Sequence, residues 1–276
     1  GTMTSYLQDA VGDAAGQIEV AVEDGLATVT LTRPDKHNAI SFAMWEAFAR
    51  VMPALGADDD VDVVLLRGIP GGPFSAGADI AEFRDLRSDV ESAERYGEAV
   101  TSGERAIIAC AKPTIAAVEG FAIGGGTQIA AACDLRVCGE SSRFAVTPSR
   151  LGIVYALPST ARLVETVGAA WARWILLTGD QIDAGTALRI GLVHEVVADD
   201  EVVARSEQIA TTLASRARVS LVGAKALIAR AAGGRLVEDD DVRAVYHASL
   251  ASNEYAEGVA AFLDKRPADF RTARRT

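Results

Sequence analysis

Three consecutive glycines, Gly124, Gly125 and Gly126, separate an apolar strand-like run, Thr114 to Val118, from a short apolar helical run, Thr127 to Ala132. The first amides of a helix lack internal acceptors, and the helix dipole adds partial positive charge at that end. Glycine lets a ligand come close to such a backbone. An amide placed this way can receive an oxygen on which negative charge develops. A second segment repeats the logic: an apolar run Val61 to Arg67, a Gly/Pro-rich turn Gly68 to Pro73, then Phe74-Ser75-Ala76-Gly77-Ala78-Asp79-Ile80 opening a helix. Two such loops from neighbouring strands would aim two N–H groups at one oxygen. Either loop alone reads as no more than a tight strand-to-helix turn.

The elements that must carry these loops follow from hydrophobic periodicity. Residues up to about Gly16 are small and polar and predict a mobile lead; Gly1-Thr2 ahead of Met3 reads as a cloning remnant. Alternation at Ile18, Val20 and Val22, then at Ala27, Val29 and Leu31, flanks Asp24-Gly25 and predicts a β-hairpin. Arg33 to Ile40 is a polar loop, and Ser41 can cap a helix through Met44, Trp45, Phe48 and Val51. Asp79 to Ala111 reads as interrupted helix, with Asp85 to Tyr96 a surface helix or mobile flap. Strands are predicted at Asp134 to Cys138, Arg143 to Val146 and Val193 to Val197. Helices are predicted at Thr160–Val167, Ala169–Leu177, Ala184–Ile190, Glu201–Ala217, Ser220–Ala231, Val237–Ser252 and Glu254–Lys265. Alternating strands and helices imply right-handed crossovers and a mainly parallel sheet. The expected organisation is a flexible segment 1–16, an α/β core over 17–198 and a helical region over 199–276.

The chain of 276 residues, 49% hydrophobic and 24% charged, fits one large soluble domain with a helical appendage. No apolar run approaches a bilayer-spanning length. The N-terminal stretch lacks the regions of a secretory signal. Cys110, Cys133 and Cys138 sit in apolar surroundings with no CxxC pairing, and read as buried reduced thiols; a cytoplasmic location is expected. A net charge of −11 argues against a nucleic-acid partner and gives no global steering toward an anionic ligand.

In this order and spacing the two glycine loops resemble the crotonase (enoyl-CoA hydratase/isomerase) superfamily. Further matching segments are Arg33 to Ile40, Leu177-Thr178-Gly179, Ala187 to Val193 and Glu257 to Leu263, so the resemblance spans about Ile18 to Phe270. It implies a ββα-spiral core and C-terminal helices that assemble a homotrimer or homohexamer. It also implies an acyl-CoA substrate, with coenzyme A as part of that substrate, no tightly bound cofactor and no metal, in fatty acid metabolism. It further implies that the N–H groups of Ala78 and Gly125 bind the thioester oxygen. A thioester becomes an enolate during such reactions, and two preorganised donors hold the oxygen best when it is charged. Lys36, His37, Asn38 and Ala39 match the CoA channel; Ala76, Asp79 and Ile80 match positions around adenine and pantetheine. Gly124 and Gly126 flank the second donor, and Phe262 and Lys265 match a pair that reaches CoA from a neighbouring subunit. Read as residues alone, Lys36 and Lys265 are exposed lysines, Asp79 a helix cap, and Glu119 and Asp134 structural.

The chain departs from the family where protons are handled. Hydratases place one glutamate two residues after the glycines, where this chain has Gln128, and a second where it has Pro148. Hydration needs one group to take a proton from water and another to deliver one to carbon. Gln128 orients but does not titrate, and Pro148 does neither. Tyr155 stands where hydratases carry a small turn; its hydroxyl either completes the wall or, with a lowered pKa, exchanges a proton. Thr127, Ser149 and Arg150 are further groups able to position polar parts of a substrate, and Glu82, expected to be exposed, is the nearest spare carboxylate on the Asp79 loop. The two-glutamate route is therefore unexpected here. An acyl-CoA lyase or isomerase acting through an enolate is the first reading, and a non-catalytic acyl-CoA binder the second.

Overall fold

The structure, a computed structural model, describes residues 3–276. A six-stranded sheet has the order β1-β2-β3-β4-β6-β9, formed by β1 (Ile18–Glu23), β2 (Leu26–Leu31), β3 (Val63–Gly68), β4 (Thr114–Val118), β6 (Leu135–Gly139) and β9 (Glu195–Val197). A three-stranded sheet joins β5 (Phe121–Ile123), β7 (Arg143–Ala145) and β8 (Ile182–Asp183). The helices are α1 (Ser5–Val11), α2 (Phe42–Ala57), α3 (Phe83–Leu86), α4 (Val90–Ile108), α5 (Gly125–Ala132) and α6 (Leu157–Thr178). They continue with α7 (Ala184–Ile190), α8 (Val202–Ser215), α9 (Arg218–Ala232), α10 (Asp240–Leu250), α11 (Asn253–Leu263) and α12 (Phe270–Arg275).

Only β1 and β2 pair antiparallel in the larger sheet; the remaining pairs are parallel. The hairpin turns on Asp24 and Gly25, with φ of 50° and 84°. That left-handed pair matches the right-handed twist of the strands it joins. The parallel strands are apolar on both faces because both are covered. Val64, Leu66, Ala116 and Val118 pack into the main core with α2 and α5. Val63, Leu65, Ile115, Ala117 and Val137 form a second core closed by Val202 and Ala210 of α8.

Two expectations change. The segment expected to be a mobile lead is ordered over residues 3–16: Leu7 and Val11 of α1 are buried, as is Ala14. Arg50 of α2 holds the end of α1 through the carbonyls of Ala10 and Val11, at 2.7 and 3.3 Å. Gly1 and Thr2 lie outside the described residues. The two helices expected at Thr160–Val167 and Ala169–Leu177 are both present within Leu157–Thr178, the first starting earlier at Leu157, and they part at Gly168, whose φ is 77°. Strand β5, only three residues long, and the terminal helix α12 were not expected.

That terminal helix is tied to the sheet by ions. Asp62, 6% exposed, receives Arg218 at 2.7 Å, Arg274 at 3.2 Å and Arg271. Buried Glu254 accepts the first amides of α9, from Arg218 and Val219, at 2.6 and 3.1 Å. Replacing Asp62 by Ala removes the carboxylate these three guanidinium groups share, leaving them the Asp59, Val61 and Asp24 carbonyls and Glu254. A loss of about 3 kcal/mol is expected, read as a lower urea midpoint with an unchanged slope.

Candidate active site

The two glycine loops converge. Short bridges join Ile40 to Ala78 and Ser75 to Ala122. The Gly77 carbonyl accepts the Ile40 N–H at 2.7 Å. A trans peptide points its N–H opposite its carbonyl, so the Ala78 N–H faces away from Ile40. Ser75 fixes the turn, its hydroxyl accepting the Gly77 N–H at 3.1 Å and donating to the Asn38 carbonyl at 2.7 Å. On the other loop, the Gly124 carbonyl accepts the Gln128 N–H at 3.0 Å inside the first turn of α5. The Gly125 N–H therefore points out of the helix start. Among the described residues neither the Ala78 nor the Gly125 N–H has an acceptor. A methyl built on Gly125 would lie 3.9 Å from the Ala78 nitrogen, and one on Gly77 would lie 3.7 Å from the Gly125 nitrogen, so the two donors are neighbours.

Both donors line a cavity of about 460 Å³. Its wall includes Ala76, Ile80, Gln128, Pro148, Tyr155 and Ser159. No Asp or Glu is among the cavity-lining residues, as the replacements Gln128 and Pro148 lead one to expect.

A carboxyl group that the sequence reading did not single out stands directly behind that wall. Glu104 of α4 is 2% exposed. Its Oε2 accepts Gln128 Nε2 at 2.6 Å and Ser159 Oγ at 2.5 Å, and Gln128 Nε2 also donates to Ser159 Oγ at 2.9 Å. With its nitrogen committed to these two acceptors, Gln128 has only its Oε1 left to accept from a ligand. Burial pushes the Glu104 carboxyl above the usual carboxylate range, with the Ser159 and Gln128 hydrogen bonds pulling against that. The signal was present in the periodicity. Tyr96, Gly103, Glu104 and Ile107 share one buried stripe of α4, and a carboxylate on an apolar stripe needs a partner.

The other expected site residues divide. Asn38 does not face a ligand: it is buried, its Oδ1 accepting the Arg33 N–H at 2.8 Å and its Nδ2 donating to the Pro73 carbonyl at 3.0 Å. It pins one loop to the other. Ala39 is also buried, and its carbonyl accepts Arg33 Nη1 at 2.9 Å. Lys36 and His37 are exposed beside the loops. Asp79 caps Ala81 at 3.2 Å and pairs with Arg33 at 3.0 Å, which is a structural role. Gly124 lines the cavity at φ 53°. Gly126 is a packing glycine, since a Cβ there would meet Ser75 at 2.8 Å. Phe262 is 82% exposed at the end of α11, with Lys265 just beyond it; neither lines this cavity. Thr127 is spent on the Ala122 and Ala145 carbonyls, at 2.7 and 3.0 Å. Glu82, half-buried rather than exposed, accepts the Phe42 N–H at 2.9 Å. Glu119 pairs with Arg67 at 3.1 Å and Asp134 with Lys225 at 2.9 Å, both structural. Burial pushes the Tyr155 phenol up, the opposite of what a proton-accepting role requires. Tyr155 lines the cavity.

Paired free amides over a cavity, one of them at the start of a helix, give this α/β protein a place suited to a developing oxyanion. A profile of the enoyl-CoA hydratase/isomerase family matches residues 21–273, and the chain belongs to that family. The chain is 33% identical to a crotonyl-CoA hydratase of Syntrophomonas wolfei, over 90% of this chain and 95% of that protein. It is 32% identical to a short-chain-enoyl-CoA hydratase of Clostridium acetobutylicum, over 88% and 93%. The crystal structure of an enoyl-CoA hydratase/carnithine racemase from Magnetospirillum magneticum superposes with a TM-score of 0.88 at 36% identity, covering 92% of this chain and 95% of that one. The fold is thus the crotonase ββα spiral with a helical C-terminal region.

Proposed function

We propose that the protein is an acyl-CoA lyase or isomerase that works through an enolate held by the Ala78 and Gly125 amides. The observation that carries this reading is the pair of unbonded, adjacent N–H groups in the wall of a cavity that also holds Ser159. As the Cα–H bond of a bound thioester breaks, its electron pair moves onto the thioester oxygen. Negative charge there meets two fixed donors and the start of α5, which lowers the barrier.

The proton goes to Ser159 Oγ while the hydroxyl's own proton moves to Glu104 Oε2, the atom it already contacts at 2.5 Å. Glu104 is thus the terminal base and Ser159 the relay. Returned at another carbon, the proton moves a double bond; delivered to a hydroxyl departing from Cβ as the Cα–Cβ double bond forms, it completes an elimination that releases water. Gln128 Oε1 orients the polar partner. The relatives named for hydration support a CoA thioester as substrate, coenzyme A entering only as part of it. Ile228, Leu250, Phe262 and Leu263 leave the C-terminal helices with exposed apolar faces, which supports a trimeric or hexameric assembly.

A non-catalytic acyl-CoA binder is the second reading, favoured by the absence of any carboxylate from the cavity wall itself. Incubation with butyryl-CoA in D2O separates the two. An enolate-forming enzyme exchanges the α-protons for deuterium, read by mass spectrometry. Tight binding with no exchange leaves the binder, and no binding removes both readings.

A further inference from the structure

The cavity is lined by the paired amides and also by residues of the segment between Ile80 and Thr101, which carry polarity that the proton relay does not use. Tyr96 is 2% exposed and lines the cavity, yet its hydroxyl has no hydrogen-bond partner among the described residues. A buried hydroxyl without a partner costs free energy that a ligand oxygen would recover. Beside it, Arg87 also lines the cavity. Its guanidinium lies over the Phe83 ring, 4.9 Å from the centroid, and 5.5 Å from the Tyr96 centroid. Stacking on two rings preorganises the group while leaving its N–H edge free. Arg87 has no ion-pair partner among the described residues, unlike Arg150 on the same cavity, which pairs with Asp180 at 3.2 Å. The neighbouring carboxylates are engaged elsewhere: Asp79 with Arg33 at 3.0 Å, Glu82 with the Phe42 amide at 2.9 Å. Val100, Val146, Ile153 and Val154 add apolar lining to the same cavity.

We infer that this cavity takes an acyl chain whose far end carries a carboxylate, the monothioester of a dicarboxylic acid, received by the Arg87 guanidinium and the Tyr96 hydroxyl. The inference rests on the acyl-CoA reading of the site and names its substrate class. An apolar mid-section fits the chain's methylenes, and a planar guanidinium matches a carboxylate through two parallel N–H donors. A methyl-ended chain of equal length would leave the Tyr96 hydroxyl unpaired and Arg87 without its anion.

The test is calorimetric titration of the full-length protein with succinyl-, glutaryl- and adipyl-CoA against butyryl-, valeryl- and hexanoyl-CoA. At least one dicarboxylic ester is expected to bind on the order of tenfold or more tightly than the methyl-ended ester of the same chain length. Arg87→Leu is expected to bring that ratio to about one, Arg87→Lys to keep part of it, and Tyr96→Phe to lower it. Melting curves of each variant report folding independently. Methyl-ended esters binding as well as or better than dicarboxylic ones, or a ratio untouched by Arg87→Leu in a folded protein, overturns the inference while leaving the thioester site standing. Failure of all six esters to bind overturns the thioester reading itself.

Discussion

Glu104→Gln is expected to slow α-proton exchange of a bound acyl-CoA by roughly 10²- to 10⁴-fold, the usual contribution of a positioned acid or base. The substitution keeps the shape and a hydrogen-bonding carbonyl, so Ser159 and Gln128 retain their geometry and CoA-ester affinity should hold. Only the capacity to accept a proton disappears. Ser159→Ala should act in the same direction by cutting the link at 2.5 Å. The pH profile adds a second readout. Burial raises the Glu104 pKa, so the ionised form needed as base accumulates above the ordinary carboxylate range, and the acid limb of exchange should lie there.

Stability runs the other way. A carboxyl whose folded pKa is raised binds more protons folded than unfolded, so its contribution is fully present below the unfolded pKa. It is lost as pH rises through the folded value. Glu104→Gln should flatten that part of the stability profile. A wild-type exchange rate in Glu104→Gln would remove Glu104 from the proton path.

Gly77→Ala is expected to reduce turnover by about 10²- to 10³-fold, comparable to deleting one oxyanion donor. Gly77 has a φ of 101°, and a methyl there would sit 2.8 Å from the Ile123 carbonyl oxygen. Neither the backbone nor β5 can absorb that without movement, and the peptide that turns is the one presenting the Ala78 N–H. The loss should fall on the chemical step more than on affinity, because the donors matter most when the oxygen is charged. Exchange rates and titrations on the same preparation separate the two. An unaltered rate would mean that the Ala78 amide is not a donor in the reaction.

Much of the architecture was legible because it is local. Alternation around Asp24-Gly25 encoded the hairpin, and the apolar runs before each glycine loop encoded the buried parallel strands. Positive φ values at Gly77 and Gly124 are what glycine at those points permits. The same two loops, by their order and spacing, carried the family and the two amide donors. The absence of carboxylates at Gln128 and Pro148 was also plain, since it is a matter of residue identity.

Residue identity and local pattern were thus enough for the fold, the two glycine loops and the loss of the customary acids. Where the proton acceptor we propose sits was decided only in three dimensions. Periodicity places Glu104 on the buried stripe of α4 with Tyr96, Gly103 and Ile107, without naming its partners. Gly103 lets α4 approach so close to α2 that a methyl there would meet the Trp45 carbonyl oxygen at 2.7 Å. That approach carries Glu104 between α5 and α6, against Gln128 and Ser159 from distant parts of the chain. Helix periodicity specifies which face is buried, but not which residues from other helices meet it there, and a carboxyl group becomes a base only through those neighbours.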